Sequence, residues 1–167
     1  MAILEIKKYP DRVLRKKAAA IRKVGDKERT LARDMVETMR SARGVGLAAP
    51  QVGVSRRLIV IEALDGGAEP LALINPRILK KKGKSSYCEG CLSVPELTSD
   101  VIRPEWIAVE ALNLDGKFVR IETGGLLARV IQHEADHLDG VLFIDRLGFF
   151  RRNRAMKHIN SKICVEL

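Results

Sequence analysis

Aromatic side chains are scarce in this chain. They make up 4% of its 167 residues, so a core has to be assembled mainly from aliphatic groups. Cysteine is scarcer still: Cys88, Cys91 and Cys164 are an odd number, which excludes a fully paired disulfide framework. The opening stretch MAILEIKKYPD lacks the apolar segment of a signal peptide. Together these features predict a cytoplasmic protein whose thiols stay reduced. No apolar run approaches the roughly 18 residues needed to cross a bilayer, so no membrane partner is expected. Repeats and low-complexity linkers are also missing. Residues 1–167 therefore read as a single domain, long enough for one real core. Acidic residues are the minority charge, 21 against 30 Lys and Arg, for a formal net charge of +9. That excess suits a polyanionic partner such as RNA, or simply a solvated basic surface; no DNA partner is expected.

What is present falls into short elements. PDRVLRKKA reads as a first helix. Residues 28–42 place Leu31, Met35, Val36 and Met39 on one helical stripe, ended by Gly44 and Gly46. Residues 57–63 and 71–75 look like strands. WIAVEAL and KFVRIET flank Asp115-Gly116, a hairpin turn signal. Gly124 and Gly125 precede LLARVIQHEADHL, which before His133 carries only Arg129 and Gln132 as large polar residues and so predicts a buried helix. A basic segment, GFFRRNRAMKHINSK, predicts a C-terminal helix. Helices flanking a run of strands joined by hairpins, without β-α-β alternation, give an α+β class with antiparallel sheets.

HEADH, residues 133–137, fits H-E-x-x-H. On a helix, positions i and i+4 share a face, so His133 and His137 are able to present two imidazoles to one metal ion. Glu134 lies about 100° around the axis, placed to handle a proton without being a ligand. A catalytic site of this type takes three protein ligands and keeps one position open. The longer pattern H-E-x-x-H-x-x-G-x-x-H runs as far as Gly140, but Phe143 stands where its third histidine belongs. The only glutamate further on is Glu166, next to the last residue. The third ligand is expected upstream, and a thiolate at Cys91 is chemically reasonable. The spacing Cys88-x-x-Cys91 by itself leaves open a redox pair, half of a structural zinc site with His133 and His137, or one important sulfur. GVGLAA also imitates a dinucleotide fingerprint, but it follows a helix rather than a strand.

GVGLAAPQ (44–51), EGCLS (89–93) and QHEADHLDG (132–140), in that order, resemble the three signature motifs of the peptide deformylase family, and the similarity runs through nearly the whole chain. The resemblance implies removal of the formyl group from the N-terminal methionine of nascent polypeptides, on antiparallel sheets packed around the H-E-x-x-H helix. It implies that Cys91, His133 and His137 hold one divalent metal ion, usually iron(II) in bacterial members, with zinc, nickel or cobalt possible in a purified sample. Glu134 becomes the general base and then acid, and Gln51 with the Leu92 N–H holds the formyl oxygen. Val45, Gly46 and Gly90 bind the substrate backbone. Helix spacing adds Leu126 and Val130, seven and three residues before His133, as pocket lining, with plain core packing as the alternative. Arg129 is placed either at the pocket rim or with its head in solvent. Cys88 needs no metal role, though oxidation could pair it with Cys91. The basic C-terminal segment suggests a ribosomal RNA contact; a non-catalytic structural-zinc or RNA-binding module is the competing function.

Overall fold

A computed structural model describes residues 2–63 and 69–163. Cys164 and Glu166 lie outside them.

Helix α1, Asp26–Ser41, buries Ala32, Met35 and Met39. It starts two residues earlier than the stripe suggests, because the Glu28 carboxylate accepts the Gly25 N–H at 2.9 Å and caps the first turn. It also stops earlier than its glycines suggest. Arg43 takes the left-handed conformation (φ 56°). The Gly44 N–H reaches back to the Met39 carbonyl and the Arg43 N–H to that of Arg40, the bonds of a Schellman ending.

Strands β1 (Gly46–Ala48), β2 (Leu58–Ile61), β3 (Leu71–Lys82), β6 (Trp106–Leu112) and β7 (Phe118–Gly124) form a five-stranded antiparallel sheet in the order β1-β2-β3-β6-β7. Strands β4 (Ser85–Cys91) and β5 (Val94–Arg103) form a separate two-stranded sheet. Helix α2, Gly125–Leu138, follows β7 without a loop, and α3, Phe149–Ile163, closes the described chain. The two-residue period of β2 explains its unbroken apolar run. Ile59 and Ile61 join Ala128, Ile131 and Leu138 of α2, whereas Leu58 and Val60 join Met35 and Met39 of α1. The sheet is thus covered by α1 on one face and by the H-E-x-x-H helix on the other. A third cluster joins β5 to Leu142, Phe143, Ile144 and the apolar side of α3.

The α+β class, the antiparallel sheets and the C-terminal helix agree with the sequence. Local extents differ. PDRVLRKKA forms only a 3-10 turn, Arg12–Arg15, with Leu14 alone fully buried in it. The chain then runs extended, its Ala18 N–H bonded to the Leu138 carbonyl. Strand β3 continues past Pro76, which a sequence reading treats as a stop. The ladder tolerates the proline through a register break between Ile74 and Arg77. There Asn75, at φ 52°, turns its amide to the Ile21 backbone, bonding N–H and C=O at 2.9 and 2.8 Å. The segment around Cys91, expected as loop turning into strand, is a hairpin whose two turn residues are Leu92 and Ser93.

Candidate active site

The three expected ligands meet. Cys91 Sγ and a ring nitrogen from each of His133 and His137 lie within 4.8 Å of one another, the only such cluster among the described residues. Cys91 stands at the end of β4, where the register shifts after Gly90. Its Sγ is 3.3 Å from His137 Nε2. A tetrahedral ion with ordinary thiolate and imidazole bond lengths holds such atoms about 3.5 Å apart, so the pair fits a shared ion. The buried Nδ1 of His137 has no protein partner. His133 Nδ1 is 3.0 Å from Glu89 Oε2, which leaves its other nitrogen for the cluster. Phe143, in place of a third histidine, lies nearly parallel to the His133 ring at 6.3 Å between centroids. Cys88 is exposed and outside the cluster, which removes the four-ligand structural-zinc arrangement. Both cysteines belong to the extended β4. Three residues of strand span roughly 10 Å, beyond the ~7 Å Cα reach of a disulfide, so the expected oxidative pairing does not fit this geometry.

Glu134 is buried beside the ligands, with its Oε2 unpartnered. Burial raises its carboxyl to about 7, although the His133 and Arg103 charges pull the other way. His133 is raised as well, but against its burial. Burial disfavours its charge, but hydrogen bonds to Cys91 and Glu89 and the Glu134 charge outweigh this and bring it to about 10. His137 is driven well below its usual value, first by burial and then by His133. Without metal, His133 thus favours the imidazolium and His137 the neutral imidazole, the form a ligand requires. Gln51 is fixed at both ends: Oε1 accepts the Ala48 N–H at 2.8 Å, while Nε2 faces Ser93 Oγ at 3.2 Å and Cys91 Sγ at 3.6 Å.

One cavity of about 480 Å³ contains every expected site residue except His137 along its wall, Val45, Gly46, Gly90, Leu92, Leu126 and Val130 included. Strand β1 is the edge of the large sheet. Since the Val45 carbonyl accepts the Glu62 N–H, ladder alternation turns the N–H and C=O of Gly46 outward, to the open side. Gly46 has a second task. A Cβ there sits 2.6 Å from Glu134 Oε1 and 2.7 Å from Val130 Cγ1. Gly46→Ala is therefore expected to swing the Glu134 carboxylate aside and lower kcat on the order of 10²-fold, with circular dichroism unchanged.

The sequence reading missed the buried charges behind the ligands. Glu89, 5% exposed, takes Arg103 Nε and Nη2 at 2.7 and 2.9 Å, Arg129 Nη1 at 2.6 Å and the His133 ring. Arg103 Nη1 also bonds Asp136 Oδ2 at 2.7 Å, joining β5 to α2. Arg129 lines the cavity, as the first of its two expected placements has it, and its head is not in solvent: its side chain is 7% exposed. Burial works to raise the Glu89 carboxyl, but His133 and Arg103 overcome it and hold it at about 2. A carboxylate with a depressed value stabilises the fold above its unfolded value near 4.5, and this contribution is lost as pH falls towards 2. In the metal-free protein, Glu89→Gln is expected to lower the urea midpoint most at pH 6–7 and progressively less towards pH 3. A gap that does not narrow rules this account out.

A thiolate and two imidazoles at one point, with a buried carboxylate beside them and an open strand edge leading in, define a metal-assisted hydrolase site on an α+β fold. The chain belongs to the polypeptide deformylase family, which residues 3–153 match. A peptide deformylase from Thermodesulfovibrio yellowstonii is 47% identical over 164 residues, 97% of this chain and 99% of that protein. The crystal structure of a peptide deformylase from Legionella pneumophila has a TM-score of 0.91 at 42% identity, covering 99% of this chain and 98% of that one. One from Synechococcus elongatus, in complex with actinonin, has a TM-score of 0.87 at 42% identity over 96% of this chain and 87% of that one.

Proposed function

We propose that this chain removes the formyl group from the N-terminal formyl-methionine of nascent polypeptides and releases formate. The observation that carries this reading is the convergence of Cys91, His133 and His137 beside Glu134, at the inner end of a cleft bordered by an open strand edge. The three ligands suit one divalent ion, iron(II) in the cell, with zinc, nickel or cobalt able to replace it in a purified sample. Such an ion makes water a competent nucleophile near neutral pH and polarises a carbonyl. Glu134, raised to about 7, takes the proton of the attacking water and returns it to the departing amine. The Gln51 amide and the Leu92 N–H donate to the formyl oxygen as charge develops on it. The outward edge of Val45–Gly46, together with Gly90, pairs with the peptide backbone, as a strand added to a sheet does. Leu126 and Val130 bound the methionine pocket; a bulkier residue at Val130 is expected to raise KM for formyl-Met peptides, and unchanged kinetics removes it from the pocket.

The protein acts as one catalytic domain in the cytoplasm; among the described residues no helix is long and apolar enough to cross a membrane. Arg151, Arg152 and Arg154 are exposed on α3 and supply a ribosomal contact, tested by co-sedimentation of a C-terminal truncation. Formate release from formyl-Met-Ala-Ser, abolished by a chelator and restored anaerobically by iron, tests the reaction. Metal binding without turnover is the result that makes this a binding module instead.

A further inference from the structure

Nothing in the reaction above uses Arg129, the charged residue that interrupts the apolar side of α2 one turn before His133. Both terminal nitrogens of its guanidinium are committed. Nη1 donates to Glu89 Oε1 at 2.6 Å and to the Val101 carbonyl at 3.0 Å, and Nη2 to the Ser85 carbonyl and hydroxyl, both at 2.8 Å. The Tyr87 ring lies 5.7 Å from its central carbon, and both residues border the substrate cleft. A lysine has no planar fork with which to hold four acceptors spread over two strands.

Glu89 is equally committed. Oε1 receives Arg103 Nε and Arg129 Nη1, while Oε2 receives Arg103 Nη2 and faces His133 Nδ1. Its two oxygens offer about four acceptor positions, and all are taken. Glu89 is two residues from Cys91 on β4, and Arg129 is four residues from His133 on α2. The thiolate and the imidazoles therefore arrive on different elements, and Arg129 ties those elements together one helical turn from the ligands. We propose that Arg129 is a positioning residue: it sets the separation of β4 from α2, and so the geometry in which Cys91, His133 and His137 meet, while its other side forms part of the pocket wall. The inference rests on the hydrolase reading above. It gives the pocket two kinds of wall. A change at Leu126 alters substrate fit alone; a change at Arg129 alters fit and the ligand set together. Arg103 keeps Glu89 paired when Arg129 is replaced, so the variant does not strand a buried carboxylate.

The test uses the full chain loaded anaerobically with cobalt(II), whose visible absorption reports the thiolate and imidazole geometry. Wild type, Arg129→Met, Arg129→Lys, Ser85→Ala and Leu126→Ala are compared by spectrum, by the rate of cobalt loss to a chelator, by Tm and by KM. Arg129→Met is expected to shift the cobalt bands and to lose the ion about tenfold faster, the usual scale for a partner behind a ligand. Arg129→Lys falls between it and wild type, and Ser85→Ala, which removes one of the two bonds of Nη2 and keeps the one to the main-chain carbonyl, shifts slightly in the same direction. Leu126→Ala raises KM with spectrum and loss rate unchanged. A residue that merely supported the fold would lower Tm and leave the bands in place, so a wild-type spectrum and loss rate in Arg129→Met overturn the inference. Should that variant not fold, wild-type spectra in both Arg129→Lys and Ser85→Ala overturn it equally. A wild-type protein that takes up no cobalt sinks the hydrolase reading, and the inference with it.

Discussion

Glu134→Gln is expected to remain folded, to keep its metal and to lose about 10²–10⁴-fold in kcat/KM, the usual contribution of a positioned general base. The amide matches the carboxylate in shape but does not accept the water proton. Two pH effects accompany the loss. Only the ionised carboxylate is a base, so wild-type activity falls on the acid side of the Glu134 titration. That titration lies at about 7 because of burial, and a bound cation moves it lower. The variant lacks this limb. Stability changes the other way. An acid whose folded value is raised contributes fully below its unfolded value near 4.5 and loses that contribution as pH rises through about 7. Stripped of metal, the variant should therefore melt above wild type at pH 8, with the difference fading towards pH 4. Full activity in Glu134→Gln, or a lower Tm at pH 8, contradicts the role assigned to this side chain.

The second large effect separates two residues that look alike in the sequence. Cys91→Ala removes one of three ligands and is expected to abolish both metal retention and formate release. Cys88→Ala, at an exposed position outside the ligand cluster, is expected to leave metal content at one ion per chain and kcat near wild type. Metal content by elemental analysis, measured beside turnover, decides the matter. Equal loss from both substitutions would mean that Cys88 binds the ion, as a structural zinc site requires.

Much of the site could be read from the sequence because its key spacings are local. His133 and His137 follow from helical periodicity alone, and EGCLS and GVGLAAPQ are contiguous. The charge cluster behind them could not be read this way. Arg103 and Arg129 reach Glu89 from 14 and 40 residues away, and Arg103 reaches Asp136 across 33. Each looks like an ordinary surface charge until the strands and α2 are docked. One signal was visible: an arginine on the most apolar helix needs a buried partner. In the fold, α1, α2, α3 and strands β2, β3, β6 and β7 were legible from periodicity, β-branched runs and the Asp-Gly turn, whereas the first expected helix is only a 3-10 turn and β4 was not foreseen. The limits of β3 and α1 were not legible, because a tertiary bond from Asn75 carries β3 across a proline and a main-chain bond from Gly44 ends α1.

The hairpin residue Cys91 and the helix residue His137 are 46 positions apart. No fragment of the chain shorter than that span contains the donor set, and the set assembles only when α2 docks against the small sheet. Contacts of this sequence separation require the loop-closure entropy to be lost before they form. The complete donor set therefore exists in the folded protein and not in the emerging chain. Which metal a molecule carries is then decided by what the cell offers at that moment, because thiolate–imidazole sites accept several ions. A preparation from metal-unbalanced cells should contain correctly folded molecules that differ only in their ion, and their specific activity becomes a record of the growth medium.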